Sequence, residues 1–473
     1  MTSRLLVPAL WPSLRECLFV VALLVVSGHT ADLLAQASPF AGTIRDTEPL
    51  SPGDEREKLR VPPGFEIQLF AAEPEIQKPM NMAFDSTGRL WVTGSNDYPF
   101  PAKPGEAHDS IRILEDTDGD GRADKFTTFV EGITIPIGLY PYRDGVIAFS
   151  IPNITFFRDT DGDGTCDKRQ LLYGPFDCTR DTHGLNNSFR RGFDGWLYAC
   201  HGFNNHSVVA GRDGHKVDMQ SGNTYRLRLD GSRIEQFTWG EVNPFGMTID
   251  AWGDFYNSDC HTKPITLLIH KGSYQSFGKP HDGLGFVPPV MTHSHGSTAI
   301  AGVTQYTGRQ FPEEYRDNLF VGNVMTSRVN RDVLVYRGSS VKAVERPDFV
   351  ISDDPWFRPV DMQSGPDGAL YIADFYNRVI GHYEVPLDHP GRDRHRGRIW
   401  RVVYRGAADS PVNPPAVNKD SPIVRDLSHV SVDELIAALG HDNLPYRMRA
   451  TDELSDRIGT AGVPKLEAAC RSS

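Results

Sequence analysis

The sequence predicts an all-β body built as a six-bladed β-propeller, and three observations carry that prediction. A short apolar strand, a tight turn and an aromatic-rich strand recur six times: NMAFDSTGRLWVTG, GLYPYRDGVIAFS, SFRRGFDGWLYAC, GMTIDAWGDFYNS, GVTQYTGRQFPEEYRDNLFVGN and VDMQSGPDGALYIAD. The turns fall near Gly88, Gly145, Gly195, Gly253, Asn318 and Gly368, a period of roughly 50–65 residues, which fits one multi-stranded blade per repeat. Finally, the chain holds 44 Gly, 34 Pro and 10% aromatic residues, with no sustained helical periodicity until its C-terminus.

Reading along the 473 residues, the N-terminus carries Arg4 and Arg15, an apolar run from Cys17 to Val26, and Ala35-Gln36-Ala37. This order matches a secretory signal over residues 1–37, and the run is shorter than the about 20 residues a bilayer span needs. The expected location is therefore exported: periplasmic or cell-envelope. Residues 38–60 read as a loose polar lead-in. The propeller spans 61–404, opening with a strand in VPPGFEIQLFAAEP that closes the ring and ending with GRIWRVVY. Residues 405–423 form a Pro-rich linker. Over 424–473 the period changes to 3.6. Ser431 and Glu434 make a capping box, Val432, Leu435, Ile436 and Leu439 an apolar face, and Gly440 a stop. A second helix is expected over 446–458. The pair reads as the start of a HEAT-like helical-repeat array, cut short where another helix should begin.

The net charge of −12 excludes nucleic acid as a natural partner. Six cysteines include no C-x-x-C pair and no haem-attachment motif. In an oxidising compartment Cys166, Cys178, Cys200 and Cys260 can pair, and spacing leaves the connectivity open.

Aligning the six copies on their turns places the residues that lead into each innermost strand at one mouth of the channel. These are Pro79–Asn81, Pro136–Gly138, His183, Asn243 with Pro244, His293 with His295, and Arg358 with Asp361. Loops leaving the second strands add Asn96, Asp97, His201, Asp259, His261 and Asp374. Proton-transfer and anion-binding groups gathered in one concavity are the default site.

Those segments carry a resemblance. HGLNNSFRRGFDGWLYACHG resembles the third blade of soluble quinoprotein glucose/sorbosone dehydrogenases, where a His before the innermost strand is the general base. VNPFGMTIDAWGDFYNSDCH through KGSYQSFG resembles a blade of the same family, and FRPVDMQSGPDGALYIAD its last, where arginines hold quinone carboxylates. Over 61–459 the chain most resembles the planctomycete-type membrane-bound dehydrogenases, which join such a propeller to helical repeats and a cytochrome c. The resemblance implies oxidation of a sugar or other alcohol, with His183 as base, Asp181 orienting it, and Asn243, Arg358, Asp361 and His201 around pyrroloquinoline quinone. It also implies a cytochrome c acceptor, separate or on a longer chain, and peripheral membrane association. Two family cations are replaced: Val242 stands for an Arg and Met325 for a Lys, which removes partners a tricarboxylated quinone needs. A calcium-dependent lactonase-type hydrolase, using Asn81, Asn243, Asp259 and Asp374, and a non-catalytic carbohydrate- or protein-binding propeller are the alternatives.

Two nonapeptides stand apart from that site. Asp116, Asp118, Asp120 and Asp124 lie in DTDGDGRAD, and Asp159, Asp161, Asp163 and Asp167 in DTDGDGTCD. Both match the first nine positions of an EF-hand-type calcium loop, with Gly121 and Gly164 at the sharp turn. Position twelve is Thr127 or Gln170 instead of Glu, so the sites read as modest-affinity structural Ca²⁺ loops; the alternative is a solvated acidic turn.

Overall fold

Strand alternation and Asp/Gly turns produce the expected ring. The computed structural model describes residues 42–103, 105–260, 264–277, 285–297, 299–381, 385–406 and 426–472. The expected signal segment, the start of the lead-in and nearly all of the expected linker lie outside them, as does His261. Among the described residues the strands form six blades and one inserted hairpin. Blade one begins at Pro79–Phe84, blade two at Leu139–Tyr142, blade three at Asn187–Arg191, blade four at Pro244–Ile249, blade five at Ile300–Gln305 and blade six at Pro359–Ser364. Every blade is an antiparallel meander from the axis outward. The hairpin, His206–Ala210 with Lys216–Gln220, is inserted in blade three. In blade six the outermost strand is Phe65–Ala72, paired with Arg398–Tyr404, so the first propeller strand closes the ring as expected.

Turns between the first two strands explain the period. Gly88, Gly195, Gly253 and Gly368 all sit at positive φ, where a side chain would be strained. Each donates its N–H to the carbonyl three residues back. Near the axis the innermost strands approach so closely that a Cβ on Gly246 would lie 2.7 Å from Gly302 Cα, and one on Gly302 2.7 Å from Asp361 Cα. Between blades the core is aromatic: Phe65 meets Phe311, Tyr315, Phe349 and Tyr404 edge-on, joining the closing blade to blade five.

The lead-in is more ordered than its composition suggests. Leu59–Arg60 adds a strand to blade five, and Pro52–Arg56 is a short helix capped by Ser51. That helix buries Glu55 against Arg398, a charge pair a loose segment would not supply. Among the described residues no disulfide forms, against the expected pairing: Cys166, Cys178, Cys200, Cys260 and Cys470 are free thiols.

The C-terminal segment forms Val432–Ala438, with the capping box between Ser431 and Glu434, then Leu444–Glu453, a wider turn over Leu454–Ile458, and Val463–Ser472. It gathers an apolar cluster of its own and docks on the propeller. Its contacts run across the turns opposite the cavity mouth. Leu427 N–H donates to Ser86 O at 3.0 Å, Asn443 Nδ2 to Pro366 O at 3.3 Å, and Leu444 N–H to Thr307 O at 3.4 Å. Tyr140 Oη donates to Asp452 at 2.6 Å, and Arg191 bridges Asp452 at 3.1 Å and Asp456 at 2.9 Å. Five blades thus touch one helical cap. Among the described residues, no helix is long and apolar enough to cross a membrane.

Arg191 is buried beneath that cap, so Arg191→Ala leaves two carboxylates against the propeller without their cation. The expected cost is about 2–5 kcal/mol, read as a lower urea midpoint together with faster proteolysis after residue 426. An unchanged midpoint and cleavage pattern would show that the cap is held by other contacts.

Candidate active site

One cavity of about 200 Å³ opens at the predicted mouth. Its wall includes His183, Asn243 and Arg358, which lead into blades three, four and six, and Tyr98 and Phe375 from leaving loops. The segment Ala299–Ala301 and Met325 bring blade five to the same wall.

His183 is fixed from two sides. Asp181 Oδ1 accepts its backbone N–H at 2.7 Å, and Asp181 is itself buried between reciprocal bonds with Asn205. The ring Nδ1 meets the hydroxyl of Tyr98 in a short hydrogen bond. Asp181 therefore shapes the loop, and Tyr98 holds the imidazole. Burial pushes the Tyr98 phenol well above its ordinary range, so it stays neutral. Tyr98 directly follows Asn96 and Asp97, the residues expected to leave this strand toward the mouth.

Asn243 and Arg358 are placed by one device used twice. Asp259, at the end of a second strand, accepts the N–H groups of Val242 at 2.9 Å and Asn243 at 3.0 Å. Asp374, at the matching place in blade six, accepts those of Arg358 at 2.8 Å and Tyr376 at 2.9 Å. The amide oxygen of Asn243 accepts from Phe203 N–H at 3.1 Å, which orients its NH₂ the other way. Asn81 Oδ1 is bound by Gly138 N–H at 2.6 Å. The Asn and Asp side chains of the axial-calcium alternative thus each accept backbone N–H groups.

Arg358 is the unusual member. It is 3% exposed; Nη1 donates to Ser327 Oγ at 2.9 Å and Phe357 O at 2.8 Å, while Nε and Nη2 are buried without a partner. Burial, with Arg45 nearby, pulls its guanidinium down to about 9. A further cation, Arg392, lines the cavity from the loop before Arg398–Tyr404, donating to Gly381 O at 2.8 Å and Val385 O at 2.9 Å. The run GRDRHRGR was the sequence signal for it.

Four residues expected at the mouth are elsewhere. His201 is buried between Ser221 O and Ser207 Oγ, both at 2.8 Å, and braces the blade-three insertion. Asp361 lies below the cavity: Oδ2 accepts Met82 N–H at 2.8 Å, Oδ1 accepts Met362 N–H at 2.9 Å, and Arg190 of the opposite blade stands 3.6 Å away. A bulge between Pro359 and Asp361 turns the carboxylate away from the mouth. His293 and His295 are also off the axis, against the outer strands of blade five.

In the two acidic loops, Asp116, Asp118 and Asp120 converge within 4.8 Å, as do Asp159, Asp161 and Asp163. Asp124 and Asp167 turn instead to Thr117 and Thr160, whose hydroxyls they accept at 2.7 and 2.6 Å. The convergent groups already receive backbone N–H bonds from Gly119, Gly121, Gly162 and Gly164.

Residues 51–406 match the model of a family described as Domain of unknown function (DUF7133). The chain belongs to that family. No curated protein matches it in sequence. Solved structures similar in fold include the PQQ-bound aldose sugar dehydrogenase of Streptomyces coelicolor (16% identity, TM-score 0.46, 73% of this chain and 99% of that one). The apo soluble aldose sugar dehydrogenase of Escherichia coli is 17% identical (TM-score 0.45, 72% and 100%). The holo pyranose dehydrogenase PQQ domain of Coprinopsis cinerea is 13% identical (TM-score 0.47, 73% and 97%).

Behind the wall, Lys78 bonds Asp393 at 2.8 Å and the carbonyls of Phe375 and Tyr376 at 3.0 and 2.6 Å. Burial drags Lys78 down to about 8, whereas Asp393, also pushed upward by burial, is held at about 2 by Lys78. Lysine is the more buried partner, and both directions leave the pair ionised at neutral pH. A depressed carboxyl contributes stability that is complete above about pH 4 and lost as pH falls through about 2. Asp393→Asn strands the lysine and is expected to cost about 3–5 kcal/mol. Its acid-unfolding curve should also be flatter between about pH 4 and 2 than that of wild type; equal slopes would mean that Asp393 has no part in acid stability.

Proposed function

We propose that this chain is an exported quinone-dependent dehydrogenase that oxidises a sugar or other alcohol, with His183 as general base. The observation that carries the reading is Arg358. A buried guanidinium with two unpartnered nitrogens, in the wall of a cavity that also holds an imidazole, is the donor set a carboxylate-bearing ligand satisfies. Arg392 makes good part of the positive charge lost with Val242 and Met325. Pyrroloquinoline quinone fits these donors: Arg358 and Arg392 would hold carboxylates, and Asn243 would donate a neutral hydrogen bond. When bound, the quinone supplies a two-electron acceptor for hydride.

The chain's own part is proton transfer and orientation. In the tautomer that donates Nδ1–H to the neutral Tyr98 oxygen, Nε2 is the atom that would take the substrate hydroxyl proton. Asp181 keeps the loop in register, and the apolar walls from Met80, Ile137, Phe203 and Phe375 exclude water from the reacting carbon. A cytochrome c, on a separate or longer chain, is the proposed electron acceptor. Calcium is proposed for the two Asp loops, as a structural ion.

His183→Ala is expected to lower turnover about 10²–10⁴-fold with unchanged folding, measured by dye-linked oxidation of a sugar panel with quinone supplied. Arg358→Ala is expected to lose the bound-quinone absorbance. If wild type retains no quinone and His183→Ala equals it on every substrate, the binding-propeller reading replaces this one.

For calcium, chelator should lower the melting temperature of wild type and leave an Asp118→Ala, Asp161→Ala double variant unmoved. Wild-type melting that ignores both chelator and added calcium would make the loops solvated turns.

A further inference from the structure

The histidines predicted for the axis serve a different place. His293 and His295 belong to the segment before blade five, which folds back over that blade's outer strands. Their Nε2 atoms meet the two oxygens of one carboxylate, Asp332, at 2.8 and 2.7 Å, and the rings stand edge to face with centroids 4.7 Å apart. Asp332 and the His295 side chain are fully buried, and His293 is 21% exposed.

Three features of the cluster ask for a cation. Asp332 pairs directly with Glu345 across the strands Arg328–Arg337 and Ser340–Ser352, so two carboxylates share one face in opposed positions, an arrangement that repels by itself. The two imidazoles present nitrogens to a single point, and the three ligand atoms lie within 4.8 Å of one another. His295 also reaches Glu345 through Nδ1 at 3.2 Å, the bond by which a metal-bound imidazole is usually oriented from behind. Its backbone is in the left-handed region, φ 52°, which turns the ring inward, and Asn323 Nδ2 holds its carbonyl at 3.2 Å.

We propose that His293, His295 and Asp332 form a binding site for one divalent transition-metal ion of the zinc class, with Glu345 as the positioning residue for His295. Two neutral imidazoles and one carboxylate are borderline ligands that suit such an ion better than calcium or magnesium. Without metal, His295 needs a proton on each nitrogen to satisfy both carboxylates. With metal, Nε2 gives up its proton to solvent and binds the ion, while Nδ1–H still donates to Glu345. Three protein ligands leave a fourth position for water.

The ion has a structural task. In blades four and six, Asp259 and Asp374 clamp the segment leading to the axis; in blade five the matching residue is Asn323, which cannot accept as a carboxylate does. The ion would anchor the segment that continues into Ala299–Ala301 on the cavity wall.

The test is titration of chelator-treated full-length protein with cobalt(II), followed by visible absorption, with zinc as competitor. One equivalent should give ligand-field bands of a low-coordinate site, displaced by zinc and accompanied by a raised melting temperature. His293→Gln, at the partly exposed ligand, should keep the native circular dichroism and bind cobalt at least about tenfold more weakly. Glu345→Gln should weaken it about 10–100-fold. The Asp118→Ala, Asp161→Ala variant should bind as wild type, which separates this site from the acidic loops. Absence of these bands in wild type, or undiminished binding by His293→Gln, would overturn the proposal and leave a proton-held cluster.

Discussion

Arg398 ties the ring shut, and the position of the site depends on it. Its guanidinium is fully buried, meeting Glu55 of the lead-in helix and Glu73 at 2.9 Å at the end of the closing strand, with Leu50 O at 2.6 Å. Arg398's own strand, Arg398–Tyr404, places Trp400 Nε1 on Asp374 at 3.3 Å, and Asp374 grips the backbone of Arg358. Closure of the last blade and placement of the cavity's buried cation are therefore one network. Burying so many charges is costly, and the cost is tolerable only because each has a defined partner. Arg358 keeps two unpartnered nitrogens within that network and stands in the cavity wall.

The propeller uses a single solution for several loops. A carboxylate at the end of the second strand collects backbone N–H groups from the segment leading to the first, and a bulge near the start of the innermost strand re-aims the next side chains. Such shifts occur in blades one, three, four, five and six. Rigid loops of this kind hold a side chain within a narrow range of positions, which proton transfer and ligand orientation both require.

The turns were legible in the sequence because positive φ selects glycine, and Gly88, Gly195, Gly253 and Gly368 repeat with the blade. His183, Asn243 and Arg358 could be placed together because each directly precedes a recognisable innermost strand. Period alone does not tell which way a side chain points after a bulge, so Asp361 was assigned to the mouth when it faces the neighbouring strand. His201 was assigned by its strand end, but a hairpin folds over it and consumes both nitrogens. Tyr98, Lys78 and Arg392 come from loops whose return to the axis depends on long-range packing. The lead-in looked loose because Glu55 has its partner more than three hundred residues away.

Arg190 and Asp361 belong to opposite blades and meet across the axis beneath the cavity, and the helical cap covers the turns of five blades beyond them. Among the described residues the axis is thus bridged by an ion pair on the side away from the mouth. Under the proposed function, substrate, product and electron acceptor would then share the mouth, and a product still inside would block the next arrival.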